Sequence, residues 1–195
     1  MQQPSDHLLD AVVDLLATGG YEGISIRRVA AAAGVSIGAV QHHFPTKDAL
    51  LSAAMDRVGR SFRDRLAARV PADAPPATAL REVAHALLGA GPDQRADVVV
   101  WLATVARAAV DGRAAASHQE EWQQVEDVLA HLLGAARPDL PVAAVRDGAT
   151  VLLAMLDGLA VATAVEPGRV GAQRALALAD AHLDALLGVA PAHDG

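Results

Sequence analysis

The stretch that decides the fold lies near the start of the chain, where residues 25–44 read SIRRVAAAAGVSIGAVQHHF. Two short helices fit this stretch, one beginning after Ser25 and one after Ser36, because serine is a favoured N-cap. Gly34 between them suits a left-handed turn. Apolar residues stand where two closely crossing helices need them, namely Val29, Ala30, Ala33, Val35 in the turn, and Val40. The pattern predicts a helix-turn-helix; the alternative is an ordinary helical hairpin in an alanine-rich bundle.

Apolar residues recur with helical spacing along the rest of the chain, and no segment alternates as a strand would. The first helix begins at Ser5 and is expected to stop at Gly19-Gly20. Thr46 caps a long helix over residues 46–70, which the proline-rich segment 71–76 then ends. Five further helices are predicted, over residues 77–90, 93–110, 113–136, 142–165 and 169–188.

The sequence therefore predicts an all-α protein of about nine helices. An N-terminal three-helix domain that contains the helix-turn-helix would occupy residues 1–50, and helix 46–70 would connect it to the rest. A second, helical domain would occupy residues 71–195.

Charge is distributed unevenly along the chain, whose formal net charge is −7. Residues 1–24 carry −4 and residues 71–195 carry −8, whereas residues 25–70 carry +5. A basic segment within an acidic protein indicates local binding of an anion. Because this segment contains the helix-turn-helix, it favours that interpretation over the plain hairpin.

The sequence offers no feature that favours an enzyme. It has no cysteine, which excludes disulfides, thiolate nucleophiles and thiolate metal sites. Metalloprotease, phosphate-loop, dinucleotide-binding and hydrolase-elbow motifs do not occur. His85, His118, His131 and His182 are scattered along the second domain, so a metal site is not expected. We predict no catalytic residues, no metal and no cofactor.

Residues 148–165 are apolar enough to raise the question of a membrane span. Asp157 at their centre would be costly there, and Arg146, Asp147 and Glu166 crowd the ends. A helix buried within the protein is therefore favoured. The first ten residues lack a basic cluster before an apolar run, so no secretory signal is predicted and a cytoplasmic location is expected.

Residues 5–58 resemble the DNA-binding domain of the tetracycline-repressor (TetR) family of bacterial transcriptional regulators. The matching segments are Gly20-Tyr21, Ser25–Ala30, Ala33–Val40 and His43–Leu51, and Asp157-Gly158-Leu159 is a weaker echo in the second domain. The resemblance implies a homodimer that binds a palindromic double-stranded DNA operator, with one recognition helix per subunit in the major groove. It also implies that a small ligand in the C-terminal domain releases the DNA, so that the protein acts as a repressor.

Four polar residues of this segment have chemistry suited to DNA. The helix that starts at Ser36 points free N–H groups outward, which suits a phosphate. Lys47, at the start of the next helix, can reach the DNA backbone. Arg27 can pair with a guanine edge. Gln41 stands where family members usually carry tyrosine, and its amide can reach phosphate or pair with adenine.

Other residues around the predicted recognition helix complete the set. Ile37 and Ala39 can touch thymine methyl groups. His42 and His43 are adjacent and point in different directions, so one is expected to contact the backbone and the other to be partly packed. The candidate DNA-binding residues are Ser25, Arg27, Ser36, Ile37, Gly38, Ala39, Gln41, His42, His43 and Lys47.

The second domain contains both tryptophans of the chain, Trp101 and Trp122. One interpretation is that they fill the core. The other is that they form the wall of a ligand pocket, with polar partners drawn from Thr104, Arg107, His131 and Thr150.

The last two predicted helices are apolar on more than one face, which indicates that they bury both an internal core and a partner chain. The predicted dimer residues are Leu152, Met155, Leu156, Leu159, Leu176, Leu183, Leu186 and Leu187. A dimeric helix-turn-helix binder that senses no small molecule remains the alternative to a ligand-responsive repressor.

Overall fold

The structure is a computed structural model that describes residues 4–71, 73–91 and 94–189. Within those residues the chain forms nine α-helices and no β-strand, so the all-α prediction is confirmed. In chain order the helices are α1 (Pro4–Gly23), α2 (Ile26–Ala33), α3 (Ile37–His43), α4 (Lys47–Arg69), α5 (Pro76–Leu88), α6 (Arg95–Ala108), α7 (Gly112–Ala136), α8 (Val142–Val165) and α9 (Ala172–Leu187).

One compact unit, unit 1, comprises the described residues within the ranges 1–61 and 92–118. Its core unites the apolar faces of α1 to α4 with Val100 of α6, and α6 packs along α1. The fully buried side chains include Val12, Leu16, Val29, Val40 and Leu50. Unit 1 thus combines two separate stretches of the chain, since α6 lies beyond residue 71.

The second compact unit, unit 2, comprises the described residues within the ranges 62–91 and 119–195. Its core lies between α5, α7, α8 and α9 and is mainly leucine. Leu80, Leu129, Leu133, Leu152 and Leu183 have no exposed surface. At roughly 1.5–3 kcal/mol for each fully buried aliphatic side chain, these leucines contribute much of the hydrophobic stabilisation of the unit.

Helix α8 is long and apolar enough to span a membrane by length and composition alone. Its buried residues, however, belong to the core of unit 2, and α5 and α9 pack against it. This is the packing of a core helix, which the sequence favoured.

The structure contradicts part of the predicted dimer interface. Leu152, Leu156 and Leu183 are at most 1% exposed and lie inside unit 2, so they are not available to a second chain. The other five predicted residues are partly buried and pack against the same core: Met155, Leu159, Leu176, Leu186 and Leu187. The prediction selected the inward-facing stripe because the largest aliphatic side chains mark the core-facing side of a helix.

Six exposed residues of α8 and α9 are small or aliphatic. We call them the outer α8–α9 face: Val151, Ala154 and Gly158 on α8, and Leu178, Ala181 and Ala185 on α9. Val151 is 55% exposed and Leu178 is 43% exposed. These six residues are apolar or small, and the exposed Arg174 lies one helical turn before Leu178 on the same side of α9.

Three local features of unit 1 bear on the sequence predictions. The helical dihedral angles of α1 break at Gly20, where φ is 58°, and one further turn extends to Gly23. Gly34 has the predicted left-handed conformation, with φ of 66°. Val35 was expected to fill the turn, but it is 39% exposed. The turn is closed instead by the backbone, because the Gly34 and Val35 N–H groups donate to α2 carbonyls.

Candidate nucleic-acid interface and ligand-binding residues

Two serine caps hold the helix-turn-helix in shape. The Ser25 hydroxyl accepts a hydrogen bond from the Arg28 N–H at 3.2 Å, and the Ser36 hydroxyl accepts one from the Ala39 N–H at 3.1 Å. Thr46 caps α4 in the same way, accepting from the Ala49 N–H at 3.0 Å. Each cap satisfies a helix-terminal donor and contributes about 1 kcal/mol. The three caps predicted from the sequence are therefore present.

Helix α3 turns almost all of its surface outward. Val40 is completely buried and anchors the helix in the core of unit 1. The other six residues are exposed: Ile37, Gly38, Ala39, Gln41, His42 and His43. The Ile37 side chain is 45% exposed. The outward face of α3 has the small, apolar and amide side chains that can approach base edges.

Arg27 and Arg28 are adjacent on α2 but have different surroundings. Arg28 lies back against the end of α1, where a Cβ on Gly23 would be 3.6 Å from its Nη1 atom. Arg27 is exposed, and no ion pair or hydrogen bond involves its side chain within the described part of the chain. Its guanidinium group therefore has its five donors available for an external acceptor.

Lys47 is held at the start of α4 by an aromatic ring. Its Nζ atom lies 4.0 Å from the centroid of the Tyr21 ring and 4.0 Å from Oε2 of Glu22. A cation over an aromatic face contributes about 0.5–1 kcal/mol at an exposed site. The ring limits the conformations of the Lys47 side chain and holds its charge at the start of α4, against α1.

Asp48 joins three helices of unit 1. Its carboxylate accepts hydrogen bonds from the Tyr21 hydroxyl of α1 at 2.9 Å and from the Arg107 guanidinium of α6 at 2.8 Å. Arg107 also pairs with Asp111 at 2.9 Å. Burial and the bond to Asp48 raise the pKa of Tyr21. This network was missed in the sequence, because residues 59 positions apart share no local pattern.

The network has a measurable effect on stability. Tyr21→Phe removes the hydroxyl and keeps the ring beneath Lys47, while Arg107→Met removes both ion pairs. We expect each change to lower the free energy of unfolding by about 0.5–1 kcal/mol, since the groups are partly exposed. Because both partners hold Asp48, the double variant should lose less than the sum. Urea unfolding of the wild type, the two single variants and the double variant measures this coupling. Arg60→Met provides a control at an exposed arginine. If the two losses of unfolding free energy were strictly additive, the network would be contradicted.

The predicted pocket residues are divided between the two units. Trp101, Thr104 and Arg107 belong to unit 1, and Trp122, His131 and Thr150 belong to unit 2. Arg107 is engaged by Asp48 and Asp111, and the Thr104 hydroxyl donates to the Val100 carbonyl of its own helix. His131 and Thr150 are exposed, and Thr150 donates to the Arg146 carbonyl. The spacing of apolar residues predicted that His131 lies on α7 and Thr150 on α8, but it did not show whether their side chains face inward or outward.

Trp122 has a specific partner that sequence reasoning did not assign. Its indole N–H donates to Oδ2 of Asp157 at 2.9 Å. Both side chains are half-buried. Burial raises the pKa of Asp157 to about 6, although the hydrogen bond from Trp122 acts in the opposite direction. The sequence did indicate that Asp157 needs a polar partner, since it is the single ionisable residue among residues 148–165.

We expect Asp157→Asn to stabilise the protein above pH 6. The pKa is about 6 in the folded state against 3.8 in the unfolded state, so the wild type loses stability as pH rises from about 4 to about 6. The difference corresponds to about 1–2 kcal/mol after allowance for partial solvent access. Urea unfolding at pH 4 and pH 8 should show a gain at pH 8 only. Asp127→Asn, an exposed control on α7, should show no such gain; equal effects of the two changes would argue against this pKa.

Comparison with known proteins assigns the two parts of the chain. Residues 8–54 match the family model described as bacterial regulatory proteins, tetR family, and residues 76–188 match the model described as BetI-type transcriptional repressor, C-terminal. The regulator BetI of Burkholderia cenocepacia (strain HI2424) is 30% identical over 185 residues, which cover 92% of each chain.

Solved structures agree with this assignment. A transcriptional regulator from Rhodococcus sp. Rha1 is 29% identical, with a TM-score of 0.82 over 96% of this chain and 97% of that one. Two others share the fold at lower identity. A regulator from Saccharomonospora viridis, in complex with choline, is 19% identical, with a TM-score of 0.82 over 92% of this chain and 94% of that one. FadR from Bacillus subtilis, in complex with stearoyl-CoA, is 18% identical, with a TM-score of 0.70 over 95% of this chain and 99% of that one.

These matches cover both units of the chain, and the relatives are transcriptional regulators rather than enzymes. The helix-turn-helix, its capping serines and the exposed α3 lie within the N-terminal match. The chain therefore belongs to the TetR family of bacterial transcriptional regulators.

Proposed function

We propose that this chain is a cytoplasmic repressor that binds a palindromic operator as a homodimer and is released by a small molecule. The observation that carries the proposal is the exposure of α3, which buries Val40 and turns its other six residues outward. Helix α3 therefore contributes little to the core of unit 1, and its outward residues are available to contact another molecule. The +5 charge of residues 25–70 makes DNA the fitting partner.

The proposed contacts divide into two classes. Arg27 and Gln41 read base edges, and Ile37 and Ala39 approach thymine methyl groups. Lys47 and the N–H groups at the start of α3, after Ser36, hold phosphates. Ser25 and Ser36 act chiefly by capping their helices. Gly38 has no side chain and so allows α3 to approach the DNA closely. His42 and His43, at the end of α3, are proposed to lie near the DNA backbone.

The outer α8–α9 face supports the homodimer. Val151 and Leu178 are exposed aliphatic side chains, and Ala154, Gly158 and Ala181 are small. Small residues allow helices from two chains to approach closely, and a four-helix arrangement would bury this apolar surface. Obligate interfaces of this kind bury more than about 2,000 Å².

Release by a ligand is supported by the way α6 is tied to α4. Arg107 of α6 pairs with Asp48, the neighbour of the phosphate-binding Lys47. A ligand that displaces α6 would thus move the start of α4 and change the presentation of Lys47 and α3. Coupling of roughly 1–3 kcal/mol would be ordinary for such a switch. The two ligand-bearing neighbours hold a cation and an acyl-CoA, so the fold alone does not fix the ligand class.

The test is an operator titration. A palindrome from the DNA upstream of the gene is labelled, and binding is followed by fluorescence anisotropy with and without metabolites suggested by neighbouring genes. Gln41→Ala should weaken operator binding, while Gln123→Ala, an exposed glutamine on α7, should not. Binding that no metabolite reverses would reduce the proposal to a dimeric DNA binder without a sensor, and failure to bind any palindrome would overturn it.

A further inference from the structure

Helices α8 and α9 carry matching rows of exposed residues. Each row begins with a charged residue, continues with an aliphatic one and ends with two small ones. The α8 row is Asp147, Val151, Ala154 and Gly158, and the α9 row is Arg174, Leu178, Ala181 and Ala185; all eight residues are exposed. Successive members are four, three and four positions apart in both rows, which keeps each row on one side of its helix. The two rows differ in the sign of the charge at their start.

The two charges lack partners of their own. Within the described part of the chain, no ion pair or hydrogen bond involves the side chain of Asp147 or Arg174. The adjacent Arg146, by contrast, pairs with Asp127 at 3.2 Å. Asp147 and Arg174 are therefore available to a second molecule that offers the opposite charge.

These two residues are far apart within one chain, because α8 and α9 run in opposite directions. The helices pack side by side, and residues 166–171 connect them. A Cβ on Gly148, near the start of α8, would lie 3.4 Å from Cδ2 of Leu186, near the end of α9. At about 1.5 Å of rise per residue, Asp147 and Arg174 are about 20 Å apart along the helices. They cannot pair with each other within the same chain.

A two-fold axis perpendicular to these helices would bring the charges of two chains together. The axis reverses the direction of the partner's helices, so α8 of one chain runs parallel to α9 of the other, and each contact occurs twice. The equal spacing lets the α8 row then align with the α9 row of the partner subunit position by position, in the order charged, aliphatic, small and small. The axis would pass level with Ala154 and Ala181, where small side chains allow the closest approach of the helices.

The charges, rather than the spacing, select this direction. A two-fold axis along the helices would set α8 antiparallel to α9 of the partner subunit. Asp147 would then face the partner's Ala185, and Arg174 would face the partner's Gly158. Each charge would lose contact with water without gaining a counter-charge, which costs free energy. The parallel alignment instead forms two ion pairs per dimer.

We propose that α8 lies parallel to α9 of a second copy of this chain in this register, and that the pairing of Asp147 with the partner's Arg174 determines which chain is accepted as partner. The proposal rests on the proposed homodimer and goes beyond it in assigning the register and the paired charges. An exposed ion pair adds little affinity. Like charges at the same place oppose association, so the pair acts mainly on the choice of partner.

Disulfide trapping of the full chain tests the register. The chain has no cysteine, so introduced cysteines can react only with each other. The double variant Asp147→Cys/Arg174→Cys should form a cross-linked dimer on a non-reducing gel after mild oxidation. Each single variant should not, because two copies of one position lie about 20 Å apart across the axis, beyond the reach of a disulfide. Asp147→Cys/Gln173→Cys, with the second cysteine off the α9 row, is the matched control and should cross-link far less.

Charge reversal tests the role of the pair, with the dimer dissociation constant measured by sedimentation equilibrium. Asp147→Arg and Arg174→Asp each place like charges together, and each should weaken the dimer about tenfold or more. The double variant Asp147→Arg/Arg174→Asp restores opposite charges and should return to within about threefold of the wild type. Glu120→Arg and Arg69→Asp make the same changes of charge at exposed positions outside the two rows and should leave the dimer unchanged.

The outcomes separate this inference from the proposed function. A dimeric wild type whose double cysteine variant forms no cross-link would overturn the register and leave the homodimer in place. A dimeric wild type that tolerates both single reversals, or whose double reversal brings no recovery, would overturn the role of the ion pair. A wild type that is monomeric at micromolar concentration would overturn both the inference and the proposed homodimer.

Discussion

Replacing Leu183 with arginine is expected to prevent unit 2 from folding, whereas Leu178→Arg on the same helix should give a folded monomer. Leu183 has no exposed surface and lies in the core of unit 2, while Leu178 is 43% exposed on the outer α8–α9 face. An unpaired arginine in the core loses the buried leucine contacts and adds the cost of burying a charge, together more than about 4–5 kcal/mol. The exposed arginine adds only repulsion between the two chains of a dimer.

Circular dichroism and sedimentation velocity separate these outcomes. Leu183→Arg should lose helical signal or aggregate. Leu178→Arg should keep the helical signal of the wild type and sediment as a monomer at micromolar concentration, where the wild type sediments as a dimer. Gln173→Arg, which introduces the same charge at an exposed position of α9 away from the outer face, is a control that should remain dimeric. A wild-type protein that is already monomeric under these conditions would remove the dimer from the proposed function.

The second large effect is expected at Arg27. As a base-reading residue, Arg27→Ala should cost about 1–3 kcal/mol per half-site and relax the preference at one base pair. A dimer doubles this loss, so operator affinity should fall at least about 30-fold. The available guanidinium of Arg27 supports this role, whereas its neighbour Arg28 lies against α1.

Lys47→Ala should behave differently, because a phosphate contact carries no sequence information. All sequences should be weakened alike, and the slope of log affinity against log salt should fall by about two units, one for each subunit. Titrations of the operator and of singly substituted operators at several salt concentrations measure both properties. If Lys47→Ala changed base preference and Arg27→Ala weakened every sequence equally, the two roles would be reversed. Arg60→Ala on α4 controls for a general loss of charge.

The local structure of unit 1 was largely predictable from the sequence. Ser25, Ser36 and Thr46 cap helices, and Gly34 has the left-handed conformation, because these preferences depend on residues within four positions of one another. The burial of Val29 and Val40 follows from helical spacing alone. The candidate DNA-binding residues of α3 could be proposed for the same reason: in so short a helix, once Val40 is assigned to the core, the remaining positions face outward.

The tertiary structure decided which apolar residues of α8 and α9 face inward, since both helices carry apolar residues on more than one side and periodicity does not choose between those sides. The larger Leu152, Leu156 and Leu183 fill the core, and the smaller Ala154 and Ala181 remain outside. Pairings between distant residues also lay beyond the sequence. The Arg107–Asp48 and Trp122–Asp157 contacts join residues 59 and 35 positions apart. Only the packing of helices brings such residues together, because neither a local hydrogen-bond preference nor a repeat links them.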